Sequence, residues 1–149
     1  MIESNKNRLE TILVVEDQEI VLTVVREILE HAGFRVITAS SGALAIEAEK
    51  HYQGEIHLLL SDVMMPDMSG PGVAKLLKER RPEMRVMLMS GYPDGEMLFL
   101  NYGWHFIEKP FLAAELVARV NTVLHTPLRS QGEDHFDTRA DMKVRVGSV

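Results

Sequence analysis

His57-Leu58-Leu59-Leu60-Ser61-Asp62-Val63-Met64-Met65-Pro66-Asp67-Met68-Ser69-Gly70 decides how this chain folds. An apolar run of strand length ends in an acid, and a loop rich in Met, Pro and Gly follows. Runs this short, bounded by turn residues, suit strands buried on both faces of a sheet. The pattern recurs along the chain. Ile12–Val15 ends in Glu16-Asp17, Arg85–Met89 ends in Ser90-Gly91, and Trp104–Ile107 is followed by Glu108-Lys109-Pro110. Phe34–Thr38 adds one more strand, and Ile56–Leu60 is the strand that leads to Asp62.

Helical patterns lie between these runs. Ile20, Val21, Val24, Val25, Ile28 and Leu29 recur at helical spacing and predict one apolar face, closed by Gly33 in the left-handed position past the helix end. Ser40 or Ser41 caps a helix through Leu44, Ala45, Ala48 and Glu49 that ends near Gly54. A third helix covers Val73–Arg80 and stops before Pro82. Leu112, Leu116, Val117, Val120 and Leu124 mark the face of the last. Between Gly95 and Gly103 only Glu96–Asn101 remains for a helix, a turn or two long. Its Met97, Leu98, Phe99 and Leu100 are apolar all round, which suits burial or cover by a partner.

Strands alternating with helices predict an α/β domain: a doubly wound, parallel five-stranded sheet of flavodoxin-like (βα)5 type, order 2-1-3-4-5. Ligands bind such sheets outside the carboxyl ends of the strands, where strand order reverses. Strands one and three meet there, and they end in Glu16-Asp17 and Asp62. We expect an N-terminal extension over residues 1–10, the domain over 11–124 and a flexible C-terminal tail over 125–149, where Lys143–Val146 alternates like a short edge strand.

Composition narrows the function. Of 149 residues, 46% are hydrophobic and 26% charged, as in an ordinary globular domain. A net charge of -6 without a Lys/Arg cluster argues against nucleic-acid binding; Arg80-Arg81 is only a pair. The absence of cysteine excludes disulfides and thiolate metal sites and is compatible with a reducing cytoplasm, the expected location. Met1–Glu10 is polar, and no apolar run nears the length of a membrane span, so no membrane insertion is expected. The six histidines are scattered, without metal-ligand spacing.

Taken singly, the strand-end residues have ordinary explanations. Asp62 could be a turn acid, Asp17 a helix cap, Ser90 a turn hydroxyl and Lys109 a solvated lysine. Together they are harder to dismiss. Three carboxylates at adjacent strand ends repel one another unless a cation relieves them, and Mg²⁺ prefers a few carboxylate oxygens. A metal held there leaves room for a phosphoryl oxygen, and an Asp carboxylate can attack phosphorus to give an acyl phosphate. Lys109 would pair with the transferred phosphoryl group and Ser90 would donate a hydrogen bond to it, which links phosphorylation to a conformational switch.

Glu16-Asp17, Asp62 to Gly70, Ser90-Gly91 and Lys109-Pro110-Phe111 closely resemble the receiver domain of bacterial two-component response regulators. The likeness runs from about Thr11 to Leu124. Ser90-Gly91-Tyr92-Pro93-Asp94 and Phe106 to Phe111 look most like receivers associated with hybrid sensor histidine kinases. The resemblance implies that Asp62 is the phosphoacceptor in a phosphorelay, taking its phosphate from a sensor histidine kinase or a histidine phosphotransfer protein. It implies Mg²⁺ bound by Asp17, Asp62 and the Met64 backbone carbonyl, with Glu16 acting through a water. It further implies a cis Lys109–Pro110 bond, a turn role for Gly70, and a switch formed by Ser90, where Thr is frequent, and Phe106, where Tyr or Phe is usual. Such a domain promotes only its own phosphorylation and dephosphorylation, and so is not an enzyme in the usual sense. A homodimer is compatible with it. The alternative is a receiver-like interaction module that does not use phosphate; the acids, Ser90 and Lys109 count against that. A haloacid-dehalogenase-type phosphatase needs Asp-x-Asp after the first strand, and Glu16-Asp17-Gln18-Glu19 fails the match. No Gly-rich loop supports a nucleotide-binding Rossmann unit.

Overall fold

Alternation along β1 (Thr11–Val15) explains the layering. Every residue of β1 is buried, so both faces of the sheet must be covered. Leu13 and Val15 point to one face, Ile12 and Val14 to the other. The computed structural model describes residues 9–91 and 104–127. The other strands are β2 (Arg35–Ala39), β3 (Leu58–Asp62), β4 (Arg85–Ser90) and β5 (His105–Glu108). The helices are α1 (Glu19–His31), α2 (Gly42–His51), α3 (Gly70–Arg80) and α4 (Ala113–Leu124). All ladders are parallel in the order β2-β1-β3-β4-β5, the flavodoxin-like arrangement expected. Ala45 of α2 and Val73 and Leu77 of α3 pack with Leu13, Leu59 and Leu88 on one face. Val25 and Leu29 of α1 and Leu116 and Val120 of α4 pack with Ile12, Leu60 and Met87 on the other. No described helix is long and apolar enough to cross a membrane.

The helix faces differ from expectation in detail. In α1 the sheet covers Val25 and Leu29, while Ile20 is 81% and Val24 48% exposed. A helix lying on a sheet buries a stripe about 100° wide, and these two residues fall outside it. Leu44 is exposed for the same reason; Leu112 is exposed because it is the N-cap of α4 rather than part of its buried face. Gly33 does take a positive φ of 100° past α1. Ser41, not Ser40, caps α2 by accepting from the Leu44 N–H at 3.1 Å.

Two elements are shorter than the sequence pattern. β3 begins at Leu58 rather than Ile56. There the His57 ring accepts the Thr11 N–H through Nδ1 at 2.9 Å, where a ladder carbonyl would otherwise stand. α2 ends at His51, short of Gly54, and Arg81 collects the carbonyls that follow. Its guanidinium donates to Tyr52 O at 2.7 Å, to Gly54 O at 2.8 Å and to Glu49 Oε2 at 2.9 Å. Glu49 is buried, and its Oε1 lies 2.8 Å from Arg80 Nε without a hydrogen-bonding alignment. The arginine pair therefore joins the end of α3 to α2.

Gly70 is needed for close approach rather than for a positive φ, which among the described glycines only Gly33 has. A Cβ at Gly70 would fall 2.2 Å from the Asp62 carbonyl oxygen and 3.1 Å from Ser61 Oγ. Gly70→Ala is expected to cost about 1–3 kcal/mol by overpacking. Urea unfolding checks this; an unchanged midpoint would show that the backbone yields freely there.

The candidate short helix at Glu96–Asn101, the greater part of the N-terminal extension and of the tail, and the Lys143–Val146 alternation lie outside the described residues. Within the described part, His125 Nε2 lies 3.2 Å from Glu10 Oε1, and Arg85 donates to Val123 O at 2.6 Å and to Thr126 O.

Candidate functional site

β1 and β3 are neighbours where strand order reverses, so their carboxyl ends open into one crevice. Glu16 and Asp17 follow β1 directly, and Asp62 is the last residue of β3. One carboxylate oxygen from each of these three residues lies within 4.8 Å of the others. Glu16 has no solvent exposure. Its N–H donates to Ala39 O at the end of β2 at 3.1 Å, and its Oε2 accepts the Gln18 N–H at 3.1 Å. The residue at the cap of α1 is Gln18, with no side-chain cap bond, so Asp17 is not spent on capping.

Lys109 reaches the acids from the residue after β5. Its Nζ lies 2.6 Å from Glu16 Oε1 and 3.4 Å from Asp62 Oδ2. Its backbone N–H donates to Ser90 O at 2.7 Å, and the Lys109–Pro110 bond is cis. Ser90 is buried at the end of β4, one step beyond Met89, the residue opposite Asp62 in the ladder. Phe106 is buried in the core on the α2–α3 face, in register with Leu88. Met64 is exposed in the loop after Asp62. That loop is closed by Val63 N–H to Met89 O at 2.9 Å and by Gly70 N–H to Val63 O at 2.8 Å.

The electrostatics follow from this geometry. Burial pushes the Asp62 carboxyl above the usual carboxylate range; Glu16 and Asp17 add to the rise, and Lys109 opposes it. Burial works against the Lys109 ammonium too. The hydrogen bond to Glu16 and the charges of Asp62 and Glu16 outweigh it and hold Lys109 above its ordinary value. Among the described residues three carboxylates face one ammonium, so negative charge remains unbalanced. All the donors are hard oxygens, a set that fits a small divalent cation such as Mg²⁺ and not a thiophilic metal. A groove between α1 and α2, lined by Leu22, Ala39, Leu44 and Ala48, holds none of these groups.

Sequence reading missed one residue here. Asp67, in the loop after Asp62, accepts from the Gly42 N–H at 3.1 Å and the Ala43 N–H at 2.9 Å. These bonds from α2 hold its carboxyl below the usual range. An acid in a turn segment gives no sign of which helix start it will meet, 25 residues away.

Residues 12–121 match the response regulator receiver domain family. The chain belongs to that family. Sensor kinase CckA of Brucella abortus (strain 2308) is 32% identical over 117 residues, covering 76% of this chain and 12% of that protein. Transcriptional regulatory protein CpxR of Escherichia coli (strain K12) is 34% identical over 128 residues, covering 85% of this chain and 54% of that protein. The chain thus spans about half or less of these relatives. Among solved structures, a response regulator receiver domain protein from Clostridium thermocellum superimposes with a TM-score of 0.71 at 28% identity, covering 78% of this chain and 94% of that one. The receiver domain of the hybrid histidine kinase CckA gives 0.68 at 33%, covering 77% and 99%. A hybrid-kinase receiver is thus among the relatives in both sequence and structure, in line with the resemblance of the Ser90 and Lys109 segments.

Proposed function

We propose that this receiver domain accepts a phosphoryl group on Asp62 from the phosphohistidine of a sensor histidine kinase or a histidine phosphotransfer protein, and thereby switches a protein-interaction surface. The observation that carries this reading is the placement of Lys109 Nζ between Glu16 and Asp62 in an acid cluster that one lysine cannot neutralise. An Asp62 oxygen attacks phosphorus, the O–P bond forms as the P–N bond of the phosphohistidine breaks, and the leaving imidazole nitrogen takes a proton. Asp17, Asp62 and the Met64 carbonyl would hold Mg²⁺, with Glu16 acting through a water. When bound, that ion supplies positive charge against the phosphoryl oxygens. Lys109 already lies at the Asp62 carboxylate and turns to the phosphoryl oxygens once they arrive. Ser90 donates its hydroxyl to another. The Lys109 N–H to Ser90 O bond ties the ends of β4 and β5 together, so both respond as one unit.

A protein donor suits the surroundings. Ile20, Met64 and Leu112 are large, exposed and apolar, each two or three residues from a site residue. A net charge of -6 disfavours a nucleic-acid partner. Incubation with a small acyl-phosphate donor and Mg²⁺ is expected to add the mass of one phosphate to the intact chain, and chelation of the metal to suppress the gain. No gain with that donor or with the cognate kinase would favour an interaction module that does not use phosphate.

A further inference from the structure

The loop from Asp62 to α3 is held at both ends by backbone bonds, as described above. Its middle is held by something else. The Asp67 carboxylate bridges the N–H groups of Gly42 and Ala43, the first two residues of α2. Beside it Met68 lies over the same helix start: a Cβ on Gly42 would fall 2.1 Å from Met68 Cγ, so the helix begins with glycine where the thioether side chain rests. The start of α2 is itself tied to the site, because Ala39, the last residue of β2, accepts the Glu16 N–H. Asp67 therefore closes a ring that runs from Glu16 through the end of β2 and the first turn of α2 into the Asp62 loop. Met64 stands in that loop between Asp62 and Asp67.

We propose that Asp67 is a positioning residue: by anchoring its loop to the first turn of α2, it sets where the Met64 carbonyl stands relative to the acid cluster. The inference rests on the metal-dependent function proposed above. A carboxylate at a helix N-terminus meets free N–H donors and a favourable dipole, so the anchor holds without burial. It differs from a cap that only steadies its own helix, because it joins two segments.

The test is Mg²⁺ titration by calorimetry on the full chain, comparing Asp67→Ala, Asp67→Asn and Ser41→Ala. Ser41 caps the same helix end through Leu44 and so controls for lost helix stability. Asp67→Ala is expected to weaken Mg²⁺ binding about tenfold, the effect of removing a group that orients a ligand. Asp67→Asn keeps one acceptor oxygen and should fall between, while Ser41→Ala stays within about twofold of wild type. Equal binding by Asp67→Ala and wild type would overturn the proposal. So would an equal loss in Ser41→Ala, which would reduce Asp67 to a cap. Should Asp67→Ala fail to fold, Asp67→Asn against Ser41→Ala decides. Wild-type protein that binds no Mg²⁺ would overturn the proposed function itself, a result distinct from a wild type that binds and an Asp67→Ala that binds equally.

Discussion

Asp62→Asn is expected to gain no phosphate from a small phosphodonor and Mg²⁺, and to melt at a higher temperature than wild type in metal-free buffer. The first result follows from the loss of the carboxylate proposed to accept the phosphoryl group. The second follows from its surroundings: Asp62 is pushed above the usual range by burial and by Glu16 and Asp17, more than Lys109 relieves. Its ionised form therefore strains the folded state. A raised folded-state pKa contributes stability that is fully present below the unfolded value, near pH 4, and is lost as pH rises through the folded value. Asparagine does not titrate. The difference in melting temperature should be smallest at acid pH, open across the mildly acidic range and be complete at neutrality. Relieving one unfavourable charge is commonly worth about 0.5–2 kcal/mol, or roughly 1–8 °C for a chain of this size. Mg²⁺ should raise wild type more than the variant, since the cation relieves the strain that the variant lacks. An undiminished phosphate gain would move the acceptor elsewhere. Identical melting at pH 7 without metal would show that the acid cluster is unstrained.

Lys109→Met should lower stability sharply in metal-free buffer. Methionine keeps an aliphatic stem of similar reach and removes only the charge. Glu16 has no solvent exposure and would lose the ammonium 2.6 Å from its Oε1. Breaking a buried pair costs about 3–5 kcal/mol. The lower end applies, because Lys109 is 22% exposed and the Gln18 N–H remains on Glu16. That corresponds to a fall of roughly 6–12 °C. Saturating Mg²⁺ should recover part of it by supplying positive charge to the same acids, and phosphoryl uptake should slow because the proposed charge partner of the phosphoryl oxygens is gone. A variant that melts with wild type would sink the view that this ion pair holds Glu16.

The strand order and the gathering of Glu16, Asp17 and Asp62 at the switch point follow from local pattern. Apolar runs with acids at their ends, alternating with helical periodicity, leave few topologies once crossovers must be right-handed. Ile20, Val24 and Leu44 were less legible. Their apolarity matches helical spacing, but only the width of the sheet decides which of them it covers. The bonds that follow α2 were invisible too, since they come from Arg81, a residue of the following helix boundary.

The site divides the same way. Sequence alone determined which side chains end the strands, because that depends on runs a few residues long and on turn chemistry. Tertiary structure decided what those side chains do to one another. Lys109 pairs with Glu16 across 93 residues, and Asp67 meets the start of α2 across 25. Contacts at that separation exist only once the parallel sheet has closed and brought distant strand ends and helix starts together. Periodicity is a property of neighbours in the chain; the charge balance around Asp62 is a property of neighbours in space.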